Sequence, residues 1–103
     1  MLNIEEKSEK EKCTMKLNGE LVATDLDVLK KRVHNLISNG ILSLTFDMSD
    51  TESVDSAGVG FIAATHNSLE KVGGVFKIIG LSKDMHQFFI CLRMNTHFTI
   101  ESK

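Results

Sequence analysis

The residues with the clearest chemical potential are numbers 54–60, which have the sequence VDSAGVG. Asp55 is a favourable helix N-cap, because its carboxylate can accept hydrogen bonds from the unpaired amides of a first turn. Ser56 then falls at or beside the first helical position, where the positive end of the helix dipole favours a phosphate on its hydroxyl. Gly58 and Gly60 add almost no bulk, so another backbone or protein surface can approach closely. The segment therefore predicts an exposed serine suited to carry a phosphate.

Nucleophilic catalysis is the competing interpretation of Ser56. The segment lacks the G-x-S-x-G spacing of a hydrolase nucleophile elbow. His66 follows ten residues later, nearly three turns along the predicted helix, and is too far away for a Ser–His hydrogen bond. The sequence therefore predicts a protein that is not an enzyme.

Acidic residues cluster near the same segment, at Asp47, Asp50, Glu52 and Asp55. A receiver domain also carries such a cluster, with a phosphoryl-accepting aspartate and magnesium, but it needs more βα units than the three helices predicted here provide. We expect these carboxylates to lie on loops, to cap helices and to form part of a docking face.

Patterns typical of cofactor sites are missing from the sequence. The histidines show neither an i, i+4 pair nor HExxH spacing, so zinc is not indicated; they are His34, His66, His86 and His97. No P-loop or GxGxxG motif occurs, and no bound nucleotide is expected. We predict no cofactor.

Composition indicates one globular domain, residues 1–103. A chain of 103 residues that is 42% hydrophobic can bury a modest core without metal or disulfides. The net charge of −2, with scattered Lys and Arg and no Trp, argues against nucleic-acid binding.

Residues 58–64, the longest nearly apolar stretch, are too few for a membrane helix. Acidic residues begin at Glu5, before any signal peptide could form, which predicts a cytoplasmic protein. Cys13 and Cys91 lack CxxC spacing, and we expect both to be buried.

Hydrophobic periodicity predicts a single α/β domain with a mixed, mostly parallel sheet in the order ββαβαβαβ. The first two strands flank a charged turn at residues 5–12. Helices are predicted at about 26–37 (capped by Thr24 or Asp25), at 56–71 and after Ser82, and strands at 41–48, 75–79 and 96–100. The predicted core residues are Leu26, Leu29, Val33, Leu44, Phe46, Ile78 and Phe88. No heptad pattern persists, so we expect a monomer in isolation.

Residues 54–60 resemble the D-S-[ST/A]-G-[VL]-G signature of anti-sigma factor antagonists, which are members of the STAS domain family. Three further segments match that family in the same order: 17–21 with the L-x-G-E-L motif, 46–49 with the strand before the signature, and 72–75 with a Gly-Gly connection. The matching segments extend over most of the chain, and four in order are far more specific than a lone DSxG match.

The resemblance implies that a partner kinase phosphorylates Ser56. That partner would be a GHKL-type serine kinase that is also an anti-sigma factor or a similar regulator, and it would supply the ATP and magnesium. The unphosphorylated domain would bind the kinase, the phosphorylated domain would release it, and a PP2C-type phosphatase would reset the cycle. The partner-binding residues implied are Asp55, Ala57, Gly58, Val59, Gly60, Glu20 and Asp25.

One departure from the family and one alternative role accompany the resemblance. Many antagonists carry an aspartate after G-E-L, where this chain has Val22, so Glu20 or Asp25 would have to replace its contacts. The alternative role is a non-catalytic STAS scaffold subunit of a larger signalling or transporter complex, without a regulatory cycle.

Overall fold

The computed structural model describes residues 2–103, which fold into a mixed sheet with helices between its strands. The strands are β1 Asn3–Glu9, β2 Lys12–Leu21, β3 Ser43–Asp47, β4 Thr51–Val54, β5 Val75–Leu81 and β6 Thr99–Ser102. The helices are α1 Leu26–Ser38, α2 Ser56–Lys71 and α3 Lys83–Cys91, with short 3₁₀ turns at Ala23–Asp25 and Met94–Thr96. In residues 2–103, none of the three helices has the length and apolar composition needed to cross a bilayer.

The strand pairing confirms the predicted α/β class and the mostly parallel sheet. The main path runs β1-β2-β3-β5-β6, and only the β1–β2 pair is antiparallel. Because β2 is longer than β3, its last residues are free to pair with β4, also in parallel. The carboxyl ends of β2, β3 and β4 therefore lie together at one edge of the sheet, where α1 and α2 begin.

Strand β4 is the one element that the predicted order does not contain. Its four residues, Thr51–Val54, are exposed or half-buried and show no apolar alternation. Backbone pairing with residues 19–21 of β2 holds it in place. Because that pairing is long-range, the periodicity of the local sequence carries no signal for it.

The first hairpin also differs from the prediction. The charged residues 5–12 were expected to form the turn, but β1 continues to Glu9 and the turn itself is Lys10 and Glu11. Strand β1 lies at the edge of the sheet and most of its residues are exposed, so polar side chains occupy both of its faces. A polar run is therefore compatible with an edge strand as well as with a turn.

Six of the seven predicted core residues are buried, and Phe88 is not. Phe88 is 44% exposed, whereas its neighbour Phe89 is completely buried. Successive residues of a helix point about 100° apart, so a short helix that packs through one face can bury only one of two adjacent aromatic residues. The confirmed core residues are Leu26, Leu29, Val33, Leu44, Phe46 and Ile78.

The two cysteines have different environments, although both were expected to be buried. Cys13 on β2 is buried, and burial raises the pKa of its thiol. Cys91 is exposed, so that prediction is wrong. Cys91 lies three residues after Phe88 in α3, on the same outward-facing side of the helix.

We therefore expect Cys91 of the folded protein to react rapidly with a disulfide reagent such as DTNB, and Cys13 to react only on unfolding. The thiolate is the reactive form, and Cys13 is both shielded and shifted toward the thiol. Absorbance at the thionitrobenzoate band measures both phases. Cys91→Ser should abolish the rapid phase and Cys13→Ser should retain it; the reverse pattern would show that α3 is oriented incorrectly.

Candidate functional site

The first turn of α2 is organised by the carboxylate of Asp55. Its Oδ1 accepts a hydrogen bond from the amide of Gly58 at 2.8 Å, which confirms Asp55 as the N-cap. Its Oδ2 accepts a second hydrogen bond from the amide of Ala23 at 3.1 Å. These bonds, first to Gly58 and then to Ala23, lower the pKa of Asp55. Asp55 therefore fastens the start of α2 to the connection between β2 and α1, and it does so as an anion.

Replacing Asp55 with alanine should lower the midpoint of thermal unfolding by several degrees, because both amides lose their acceptor. The lowered pKa also gives a pH signature. Wild-type stability from Asp55 is complete above the unfolded-state pKa, about 4, and is lost as the pH falls through the lower folded-state value. Asp55→Ala should lack that part of the acid-induced loss in melts followed by circular dichroism.

Glu52→Gln is a matched control, because Glu52 is an exposed carboxylate on β4, three residues before Asp55. It should leave both the midpoint and the acid dependence close to the wild-type values. Equal effects of the two substitutions would contradict a specific capping role for Asp55.

Ser56 is the first residue of α2, and its side chain is exposed. The N-cap hydrogen bond of this helix is made by the preceding residue, Asp55, whose carboxylate accepts from the amide of Gly58. The hydroxyl of Ser56 is therefore accessible at the positive end of a helix of 16 residues. A phosphate on this oxygen would be stabilised by the helix dipole and would leave the Asp55 cap in place.

The two glycines of the signature have different environments. Gly58 is buried, and a Cβ placed on it would collide with the carbonyl of Leu21 and would come within 2.9 Å of a methyl group of Val54. Gly60 is exposed, and a Cβ there would meet nothing within 4 Å. The close approach permitted by Gly58 is therefore to the end of β2 in the same chain, and Gly60 is the glycine that remains open to another molecule.

The residues around Val22 lie at the same edge of the sheet. Val22 is half-buried and connects β2 to the turn whose Ala23 amide bonds Asp55. Glu20, exposed on β2, accepts a hydrogen bond from the Ser53 hydroxyl of β4 at 3.1 Å. Asp25, one of the two predicted caps, is at the N-cap position of α1, but its side chain makes no capping hydrogen bond. Glu20 thus precedes Val22 in the sequence and Asp25 follows it. Only Oε2 of Glu20 is bonded to Ser53, and the Asp25 side chain caps no amide.

The acidic cluster has several structural roles. Asp47 accepts a hydrogen bond from the amide of Ser49 at 3.0 Å, and Asp50 pairs with Lys16 at 3.1 Å, which raises the pKa of that lysine. Asp47 is the last residue of β3 and Glu52 lies on β4, so neither of them lies on a loop as predicted. Among the described residues 2–103, no three His, Cys, Asp or Glu side chains are arranged to hold a metal ion.

A groove of about 480 Å³ runs between α1 and α2 from the signature segment. Ala57 and Gly60 line its near end, and Val33, Ile37 and Phe61 contribute apolar surface. Val59, in contrast, is half-buried and packs against the core. The sequence prediction did not include this groove. Its signal in the sequence is the three- to four-residue spacing of small side chains, which are Ala57, Gly60 and Ala64.

Comparison with protein-family models matches residues 3–103 to the STAS domain. Solved structures share the fold at low identity. A candidate anti-sigma factor antagonist from Thermotoga maritima has a TM-score of 0.88 and 21% identity, over 97% of this chain and 86% of that one. An anti-sigma factor antagonist from Mycobacterium paratuberculosis has a TM-score of 0.86 and 16% identity, over 100% and 87%. The Bacillus cell fate determinant SpoIIAA, in its phosphorylated form, has a TM-score of 0.78 and 17% identity, over 100% and 92%. No curated protein matches the sequence.

Proposed function

Because this chain belongs to the STAS domain family, we propose that it is an anti-sigma factor antagonist controlled by phosphorylation of Ser56. Unphosphorylated, the domain binds a GHKL-type serine kinase that serves as an anti-sigma factor or a similar regulator. Phosphorylated, it releases that kinase, and a PP2C-type phosphatase restores the binding form. The cycle takes place in the cytoplasm, and the kinase supplies ATP and magnesium.

The observation that carries this proposal is the exposed Ser56 at the start of a helix whose cap is already occupied. Phosphorylation adds about −1.5 to −2 charges. Because Asp55 holds the first turn through Gly58 and Ala23, the added phosphate does not have to replace a bond that maintains the fold. A phosphate on Ser56 would also adjoin Asp55, whose lowered pKa keeps it ionised, so the modified surface would carry two neighbouring negative groups. A partner that buries this surface would have to desolvate the phosphate.

The predicted partner-binding residues have different parts in this proposal. Gly60 and Ala57 contact the partner at the near end of the groove between α1 and α2. Asp55 and Gly58 act mainly by fixing the first turn of α2 against β2, because their contacts are within the chain. Val59 packs partly against the core. Glu20 and Asp25 extend the contact surface on either side of Val22.

Phosphate mapping tests the proposed site. The purified domain is incubated with its cognate kinase, ATP and magnesium, and the modified residue is located by mass spectrometry. We expect phosphate on Ser56, none on Ser56→Ala, and wild-type incorporation on Ser53→Ala. Ser53 is the matched control, since it lies three residues earlier, is half-buried and donates its hydroxyl hydrogen to Glu20. Phosphate on Ser53 would contradict the proposal.

A scaffold role is the second candidate, and one observation favours it. Phe88 of α3 and Leu92, the residue that follows α3, are each 44% exposed and lie one turn apart, where they offer apolar surface that the Ser56 cycle does not use. We expect a monomer in isolation by light scattering. A stable dimer at micromolar concentration that Phe88→Ser disrupts would favour the scaffold role.

A further inference from the structure

One part of this domain carries acidic residues but no Lys or Arg. Residues 18–29 and 47–60 form the carboxyl ends of β2 and β3, strand β4 and the first turns of α1 and α2. They contain no Lys or Arg, although the chain has 12 of them, and they contain half of its 14 acidic residues. We call this part of the molecule the acidic end. Its acidic residues are Glu20, Asp25, Asp27, Asp47, Asp50, Glu52 and Asp55.

A groove of about 230 Å³ opens at the border of this acidic end, beside the start of α1. Leu2, which precedes β1, and Ile4 of β1 line it together with Val28 of α1. Thr24, Asp25 and Asp27 complete the lining. Among residues 2–103, neither of these two carboxylates lies within ion-pair distance of a basic side chain. We call this site the N-terminal groove.

Stability alone explains the aspartates of this groove but does not explain Val28. Acidic residues at a helix N-terminus interact favourably with the helix dipole, so Asp27 has a structural reason to be there. Val28 is 63% exposed on α1. A β-branched residue at an exposed helical position lowers helix propensity without burying itself in the core. Together with the half-buried Leu2 and Ile4, it instead gives the groove an apolar part that is open to solvent.

We infer that the N-terminal groove binds an amphipathic basic segment of the partner protein, in which an apolar side chain covers Val28 and Lys or Arg side chains pair with Asp25 and Asp27. Charge complementarity selects this occupant, because an acidic or neutral segment would leave two carboxylates unpaired beside the apolar surface. The identity of the partner as the kinase rests on the proposed function. Ala23, the neighbour of the groove residue Thr24, donates its amide hydrogen to Asp55, so the groove adjoins the cap of α2.

A peptide titration tests the groove without the kinase. The probe is an amphipathic helical peptide of about 15 residues built from leucine and lysine, and the control peptide replaces lysine with glutamate. We expect the lysine peptide to bind with amide chemical-shift changes centred on Ile4, Thr24, Asp25, Asp27 and Val28. The glutamate peptide should not bind. Equal binding of both peptides, or shifts centred elsewhere, would overturn the inference.

Charge-removing and apolar-removing variants sharpen the test. Asp25→Asn with Asp27→Asn should weaken the lysine peptide about threefold to tenfold at low salt and reduce the salt dependence. The matched control is Glu9→Gln with Glu11→Gln, which removes two charges at the opposite end of the molecule. The control variants should bind as the wild type does, and equal losses in both pairs would overturn the inference.

Val28→Ser should also weaken the peptide about threefold or more, whereas Val72→Ser should not. Val72 is the matched control, because it is 49% exposed at the far end of α2. No phosphorylation occurs in this assay, so a negative peptide result would not contradict the Ser56 switch. Conversely, failure of the Ser56 switch would leave the groove result standing.

Discussion

Replacing Gly58 with alanine is expected to lower the free energy of unfolding by about 2–3 kcal/mol, the upper part of the range for overpacking a buried position. The new Cβ would collide with the backbone carbonyl of Leu21, which cannot move without displacing the end of β2. The methyl group of Val54 is also too close, at 2.9 Å. Urea denaturation measures the change. The improved helix propensity of alanine, about 1 kcal/mol, offsets only part of the strain.

Gly60→Ala is the matched control on the same helix, and it should raise stability by about 1 kcal/mol. The side chain enters open space there, so only the gain in helix propensity remains. The same variant should bind the kinase partner less well, because Gly60 lines the near end of the groove between α1 and α2. Similar stability changes for both glycines would show that the first turn of α2 does not lie against Leu21.

Replacing Ser56 with aspartate is expected to weaken binding to the kinase partner at least about tenfold, or about 1.4 kcal/mol. The fold should survive, since a carboxylate in the first turn of a helix is favourable by roughly 0.3–1 kcal/mol. The lost affinity therefore reports on the interface and not on unfolding. Isothermal titration calorimetry and thermal melts of the same sample measure the two quantities.

Two control variants complete the Ser56→Asp experiment. Ser56→Ala should stay folded, resist phosphorylation and bind the kinase persistently. Asn67→Asp adds the same charge at an exposed position of the same helix, eleven residues further along, and should bind as the wild type does. If Asn67→Asp weakens binding as much as Ser56→Asp, the effect is one of net charge and not of the site.

The sequence predicted the local parts of this site well. Asp55 is the N-cap of α2, and the helix spans Ser56–Lys71 as expected, because capping chemistry and apolar periodicity lie within a few residues of each other. The start of α3 at Ser82 is confirmed for the same reason, since its hydroxyl accepts a hydrogen bond from the amide of Met85 at 3.2 Å.

The parts that could not be predicted depend on contacts between distant residues. The second hydrogen bond of Asp55 is to Ala23, 32 residues away, and no local pattern specifies it. The burial of Gly58 against Leu21 also follows from the way α2 packs on the end of β2. The predicted burial of Phe88 was wrong because the sequence alone did not show which side of α3 faces the core.

The measurement that tests the central claim most directly is the affinity of one protein sample for the kinase before phosphorylation, after it and after phosphatase treatment. We predict that stoichiometric phosphate on Ser56 weakens binding at least about tenfold and that its removal restores the original affinity. Equal affinities in all three states, with the phosphate confirmed on Ser56, would contradict the phosphorylation switch.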